Sequence, residues 1–119
     1  MNRIAVEMDK ISTYQNIITT LLEEYAAIPP SYPTSLRDEL IIDTLCNQFQ
    51  LIKVGWEGNQ FVHEAIFHLD IIDGKVWIQQ NNSEAKLTDE LIKRGVAKSD
   101  IVLGFQHPES RVHSGFAVA

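Results

Sequence analysis

The sequence predicts one α+β domain: an N-terminal helix, an antiparallel β meander, a short helix and two further strands. Three observations carry this prediction. Apolar residues recur at helical spacing up to Tyr25, strand-like patterns fill Leu40–Gln80, and the turn signals between those strands are short. Helical and strand patterns are segregated along the chain, which places helices over one face of an antiparallel sheet.

The helix comes first. Ile4, Met8, Ile11, Tyr14, Ile18, Leu21 and Tyr25 follow one another at steps of three or four, which draws a single stripe, and Ile17 and Leu22 widen it. Ile28-Pro29-Pro30-Ser31-Tyr32-Pro33 ends the helix, because proline cannot continue it and restricts the residue before it. A stripe this narrow also suits a coiled-coil seam, which makes a homodimer an expectation. About three heptads is short for a coiled coil, so packing on the chain's own sheet is preferred.

Strands follow. Leu40–Cys46 is apolar and β-branched, Asn47-Gln48 turns, Phe49–Trp56 returns, and Glu57-Gly58-Asn59-Gln60 turns again. Phe61–Ile72 is the longest strand. Asp73-Gly74 supplies the two positive-φ residues of a type I′ hairpin, and Lys75–Gln80 comes back. A two-residue loop pairs Ile72 with Lys75, Asp70 with Trp77 and His68 with Gln79. Alternation then puts Phe61, His63, Ala65, Phe67, Leu69, Ile71, Val76 and Ile78 on the core face. The other face carries Glu64, Ile66, His68, Asp70, Ile72, Lys75, Trp77 and Gln79.

Past the Asn81-Asn82-Ser83 loop, Thr88 is a natural N-cap for a short helix with Asp89 and Glu90 in its first turn. Gly95 suits its C-terminus. Ile101–Phe105 is a buried-strand pattern, His107-Pro108-Glu109-Ser110 turns, and Val112–Val118 is a last short strand.

The chain has 119 residues, 45% of them hydrophobic, which suits a single domain over residues 1–119 with one core. Cys46 is the only cysteine, so no intramolecular disulfide forms and a reducing cytoplasm fits. The opening residues lack the uninterrupted apolar run of a signal peptide, and no window approaches the length of about eighteen apolar residues that a membrane span needs. The formal net charge of −6 argues against direct nucleic-acid binding, which rests on lysine and arginine displacing counterions. Lys86, Lys93, Arg94 and Lys98 are the densest basic stretch, but Asp89 and Glu90 interrupt it, so a solvated helix face is the better reading. A basic protein partner is electrostatically easier.

Candidate chemistry is sparse. His63 and His68 are five apart on a strand, so alternation sets them on opposite faces; His107 and His113 flank a turn and offer only two ligands. No metal site and no cofactor are expected. His68 and Asp70 share a face with Trp77 and Gln79, and such a pair can orient an imidazole for acid–base work. No serine or cysteine stands in a nucleophile context beside them. Cross-strand polar pairing, or a protein-binding face centred on Trp77, is the stronger reading, tryptophan being enriched at interface hot spots. The glycines form no phosphate loop. Arg111 reads equally well as a surface ion pair, with Glu109 or a terminal carboxylate, and as an interface anchor.

From Leu51 onward the chain resembles the XisI-like family, the fdxN element excision controlling factors. The matching pieces are Leu51-Ile52-Lys53-Val54-Gly55-Trp56, His68–Gln79, Gly95–Phe105, His107-Pro108, Arg111 and Phe116-Ala117-Val118-Ala119. The N-terminal helix ending in Leu22-Glu23-Glu24-Tyr25 also fits. Ser83-Glu84 stands where the family has Thr-Glu, Ala97 replaces a proline, and Phe49 replaces a tyrosine, removing one hydrogen-bonding hydroxyl. The resemblance implies a non-enzymatic accessory factor in excision of a DNA element, with a separate recombinase doing the strand chemistry. It further implies an XisH-like partner, and it transfers no catalytic residue. The partner-binding candidates are therefore His68, Asp70, Lys75, Trp77, Gln79 and Arg111. The rival readings are a DNA-binding directionality factor and an antitoxin-like inhibitor of a nuclease-like partner.

Overall fold

The computed structural model describes residues 3–119, with side chains described from Asp9 onward, so Ile4 and Met8 of the stripe lie outside those side chains. Helix α1 spans Arg3–Ala26; strands β1 to β4 span Arg37–Asp43, Gln48–Glu57, Gln60–Ile72 and Lys75–Asn81. Helix α2 covers Leu87–Lys93, β5 covers Ile101–Leu103, and α3 is a single turn at Pro108–Arg111. The strands lie side by side in chain order, β1-β2-β3-β4-β5. The first four are antiparallel, and β5 joins β4 in parallel after the α2 crossover. The predicted α+β class, the meander and the hairpin turn all stand, the turn with Asp73 at φ 51° and Gly74 at φ 77°.

Helix α1 lies on its own sheet. Tyr14, Ile18, Leu21 and Leu22 are buried in one cluster with Phe49, Leu51, Phe67, Leu69, Val76 and Ile78. From Tyr14 to Tyr25 the stripe packs inside the subunit, as preferred over a coiled-coil seam. Leu87 and Leu91 of α2 and Val96 join the same cluster, so both long helices cover one face.

Two register shifts alter the expected faces. Opposite β2, Leu51 pairs with Phe67 but Ile52 pairs with Ala65, which leaves Ile66 as an extra residue. Opposite β4, Leu69 pairs with Ile78 but His68 pairs with Gln80, which leaves Gln79 out of the ladder. His68 therefore does not face Gln79. The first bulge reverses the alternation of the distal half of β3. Phe61, His63 and Ala65 leave the predicted core face for the open one, and Ile66 turns back to pack on the core.

The C-terminal region also differs from the expectation. Val112–Val118 is not a strand: one bridge joins Ala117 to Val102. Ser114 Oγ donates to the Arg111 carbonyl and accepts from the Phe116 amide, and Gly115 sits at φ 82°, so the chain turns instead of extending. His107 caps α3, its Nδ1 accepting from the Glu109 amide. Helix α2 starts a residue before the expected Thr88 cap, behind Lys86, which makes no side-chain cap bond.

A polar clasp fixes α1 to the approach to β5. Tyr14 donates to Asp100 Oδ2 at 2.6 Å and accepts from the Ala97 amide, while Lys10 Nζ lies 2.8 Å from the same carboxylate oxygen. Burial raises the Tyr14 pKa, and the Asp100 hydrogen bond adds to the rise. For Asp100, burial pushes upward but the bonds from Lys10 and Tyr14 outweigh it, so its net shift is downward. A depressed carboxylate pKa contributes stability above the unfolded value, and that contribution is lost as pH falls through the folded value. Tyr14→Phe is expected to cost about 1–2 kcal/mol in urea unfolding at neutral pH. Asp100→Asn is expected to flatten the acid limb of the stability profile; an unchanged limb would show that the clasp carries no such linkage.

Candidate protein-binding face

Helices α1 and α2 lie on one side of the sheet. Apart from its β5 end, where Arg111 of the single-turn α3 lies over Trp77, the other face is open. Residues paired across the ladders share it: Ile41, Gln50 and His68; Glu39, Ile52 and Ala65; Arg37, Val54 and His63; then Trp56 and Phe61. Asp70, Trp77 and Val102 continue it towards β5. Ile52 and Val54 are buried yet stand outside the main core cluster, forming with Ala65 a second apolar patch. Its rim is exposed: Ile41 at 41%, Trp56 at 59% and Phe61 at 53%. The two aromatic rings meet edge to face at 5.3 Å.

The polar candidates gather at the other end. His68 Nε2 lies 3.0 Å from Asp70 Oδ1, and Gln79 Nε2 donates to Asp70 Oδ2 at 3.1 Å. The bulge frees Gln79 from the ladder to reach that carboxylate. Arg111 lies over the Trp77 ring at 4.9 Å and donates to the carbonyls of Gln106, Val118 and Gly104. It makes neither of the expected ion pairs among the described contacts, and instead clips the C-terminal segment onto Trp77. Lys75 sits at the hairpin tip opposite Ile72, apart from this group. The structure thus joins His68, Asp70 and Gln79 in one chain and Trp77 with Arg111 in another.

His63 and His68 share this face, contrary to the alternation argument, because Ile66 bulges between them. Their β2 partners, Val54 and Gln50, are four residues apart, about 13 Å along a strand. Among the described residues no three metal-ligating side chains converge. Cys46 is exposed, and the hydrogen bond and charge of Asp43 raise its thiol pKa, which disfavours the thiolate. Of the basic stretch, Arg94 is engaged by Glu24 and Glu90, and Lys98 lies over Phe116. An apolar groove of about 430 Å³, lined by Tyr25, Ile28, Pro29, Leu51, Ile66 and Phe67, lies on the helical side, away from His68 and Trp77. No helix among the described residues is long and apolar enough to cross a membrane.

Sequence reading missed Ile41, Ile52, Val54, Ala65, Trp56 and Phe61 as members of this face. The adjacent apolar pair Ile66-Phe67, which breaks strict alternation, was the available signal.

A five-stranded sheet with α1 and α2 on one face and a mixed apolar and polar surface on the other defines a small α+β module. The comparisons make this specific. The model of the family described as "XisI protein" matches residues 8–118, and the chain belongs to the XisI family. An XisI-like protein from Anabaena variabilis superposes with a TM-score of 0.85 at 37% identity, over 92% of this chain and 99% of that one. The fdxN element excision controlling factor XisI from the same organism superposes with a TM-score of 0.82 at 34% identity and the same coverage. No curated protein matches.

Gly104 keeps the Trp77 end open. An added Cβ would lie 2.3 Å from Gln79 Oε1 and 3.1 Å from the Trp77 ring. Gly104→Ala is expected to displace the flexible Gln79 side chain from Asp70 and to cost about 1 kcal/mol, the worth of the hydrogen bond lost. Thermal unfolding and a change in indole fluorescence report it; an unshifted melt with native fluorescence would refute the packing argument.

Proposed function

We propose that this chain is a non-enzymatic controlling factor for excision of a DNA element, acting by binding a protein partner through the open face of its sheet. Membership of the XisI family and the similarity to an excision controlling factor support the first half of this reading. The observation that supports the second half is the sheet face that α1 and α2 leave uncovered, where a partly exposed apolar patch adjoins the His68–Asp70–Gln79 chain. Exposed apolar area rimmed by polar groups is the usual mark of a protein contact site.

The partner proposed is an XisH-like protein with a basic surface. The net charge of −6 steers such a partner and disfavours a phosphate backbone. The partner's own chemistry, or that of a recombinase, acts on the DNA. Within this arrangement His68 and Asp70 present oriented hydrogen-bonding groups, Trp56 and Phe61 supply aromatic area, and Arg111 holds Trp77 in place.

Co-expression with an XisH-like protein encoded beside it should yield a complex that survives gel filtration at micromolar concentration. Ala65→Arg and Trp56→Ala should each weaken that complex about tenfold or more, whereas Glu23→Arg, on exposed helix surface, should not. Separate elution of the two wild-type proteins at that concentration would sink the proposal.

A further inference from the structure

The two edges of the sheet are treated differently. At the β5 edge, the Ala117 amide donates to the Ile101 carbonyl at 2.9 Å, and Ala117 bridges Val102. The C-terminal segment thereby covers that edge. Among the described residues, the β1 edge has no such cover. Arg37–Asp43 is a seven-residue strand with no proline, no glycine and no register shift against β2. Among the described residues, its backbone bonds no segment other than β2. A long, regular, unpaired edge is a template for another strand, and proteins that must avoid this use short strands, bulges or proline at such edges.

The strand's own sequence chooses its occupant. An antiparallel copy of β1 keeps core-facing and open-facing residues on their proper sides only when the two-fold axis passes through a residue position. With the axis at Leu40, Arg37 faces Asp43 of the second copy twice over, Glu39 faces Ile41, and Leu40 faces Leu40. Moving the axis to Ile41 sets Glu39 against Asp43, a like-charge pair, and moving it to Glu39 leaves Arg37 against Ile41. Only the Leu40 register is complementary in charge. Arg37 is exposed and already oriented along the strand by Glu39 at 2.9 Å. Asp43 uses Oδ1 for the amides of Leu45 and Cys46, and those bonds lower its pKa, so it stays ionised for an incoming guanidinium.

We infer that β1 is a self-recognition edge: two copies of this chain pair antiparallel about Leu40, with two Arg37–Asp43 ion pairs across the axis. The product is one continuous sheet with both α1 helices on the same face. The apolar residues Leu40 and Ile42, half-buried at the edge, become covered. The open face that carries Trp56 and His68 is extended across the seam and remains accessible. This edge shares Arg37, Glu39 and Ile41 with the open face, but the partner-testing positions Trp56 and Ala65 lie on β2 and β3, so either proposal can fail without the other.

The test is register-specific cross-linking. In a Cys46→Ser background, Leu40→Cys places two thiols about 5 Å apart by their Cα atoms, inside disulfide range. Ile42→Cys places them four positions apart along the strands, about 13 Å, and outside it. Mild oxidation should give a covalent dimer for the first variant and none for the second. In sedimentation equilibrium, Arg37→Asp and Asp43→Arg should each weaken self-association at least tenfold, and an equimolar mixture of the two should restore it, because both heterologous pairs are then complementary. Circular dichroism confirms that each variant is folded, Asp43→Arg having also lost its turn bonds. A wild-type chain that stays monomeric up to about 1 mM, equal cross-linking at both positions, or no restoration on mixing would overturn the inference.

Discussion

The burial of one helix on one face of the sheet is the interaction on which the rest of this molecule depends. Ile18, Leu21 and Leu22 of α1 are fully or almost fully buried against Phe49, Phe67, Leu69 and Ile78. Each such side chain contributes roughly 1.5–3 kcal/mol relative to exposure, so this contact dominates the apolar stabilisation available to a chain of this size. Its geometry is also a constraint. Helix α1 and the shorter α2 cover one face of the sheet, and only the single turn α3, at the β5 end, reaches the other among the described residues. The opposite face must then be made tolerable to water by its own side chains, and it is only partly so. Polar groups occupy the end near β5, and an apolar patch remains around Ile52 and Val54.

The bulge at Ile66 decides what that open face contains. A strictly alternating β3 would send Phe61, His63 and Ala65 into the core, beyond the point where α1 ends at Ala26. No helix lies there to receive them. Inserting one residue returns Ile66 to the covered side and turns the distal hairpin's apolar residues outward. The second irregularity, at Gln79, serves the polar end in the same way, releasing a side chain from the ladder to hold Asp70. The exposed composition of the face is thus a product of two local breaks in pairing.

These breaks also explain what the sequence could and could not reveal. Helix α1, the four-stranded meander, the Asp73-Gly74 turn and the membership of Phe67, Leu69, Ile71, Val76 and Ile78 in the core were legible, because each rests on periodicity or turn chemistry local to the chain. The pairing of His68 and Asp70 was legible for the same reason, being two residues apart on one strand. The face of every residue between Phe61 and Ile66 was not, since a bulge is set by what lies across the ladder. The role of Arg111 was hidden too. Its three carbonyl acceptors come from Gly104, Gln106 and Val118, which only the fold of the last segment brings together. The expected last strand failed where serine and glycine at 114–115 turn the chain, a local preference stronger than the β-propensity of the flanking valines.

The open face, and not the helical side, is the proposed site of a protein partner. The two tryptophans are convenient reporters, since both lie on that face by register, one at the apolar rim and one beneath Arg111. The most direct measurement is a titration of the ¹⁵N-labelled chain with the proposed XisH-like partner, following the two indole N–H resonances. The Trp56 signal is predicted to shift or broaden in step with complex formation. A complex that forms while both indole signals stay where they are in the free chain would contradict the account.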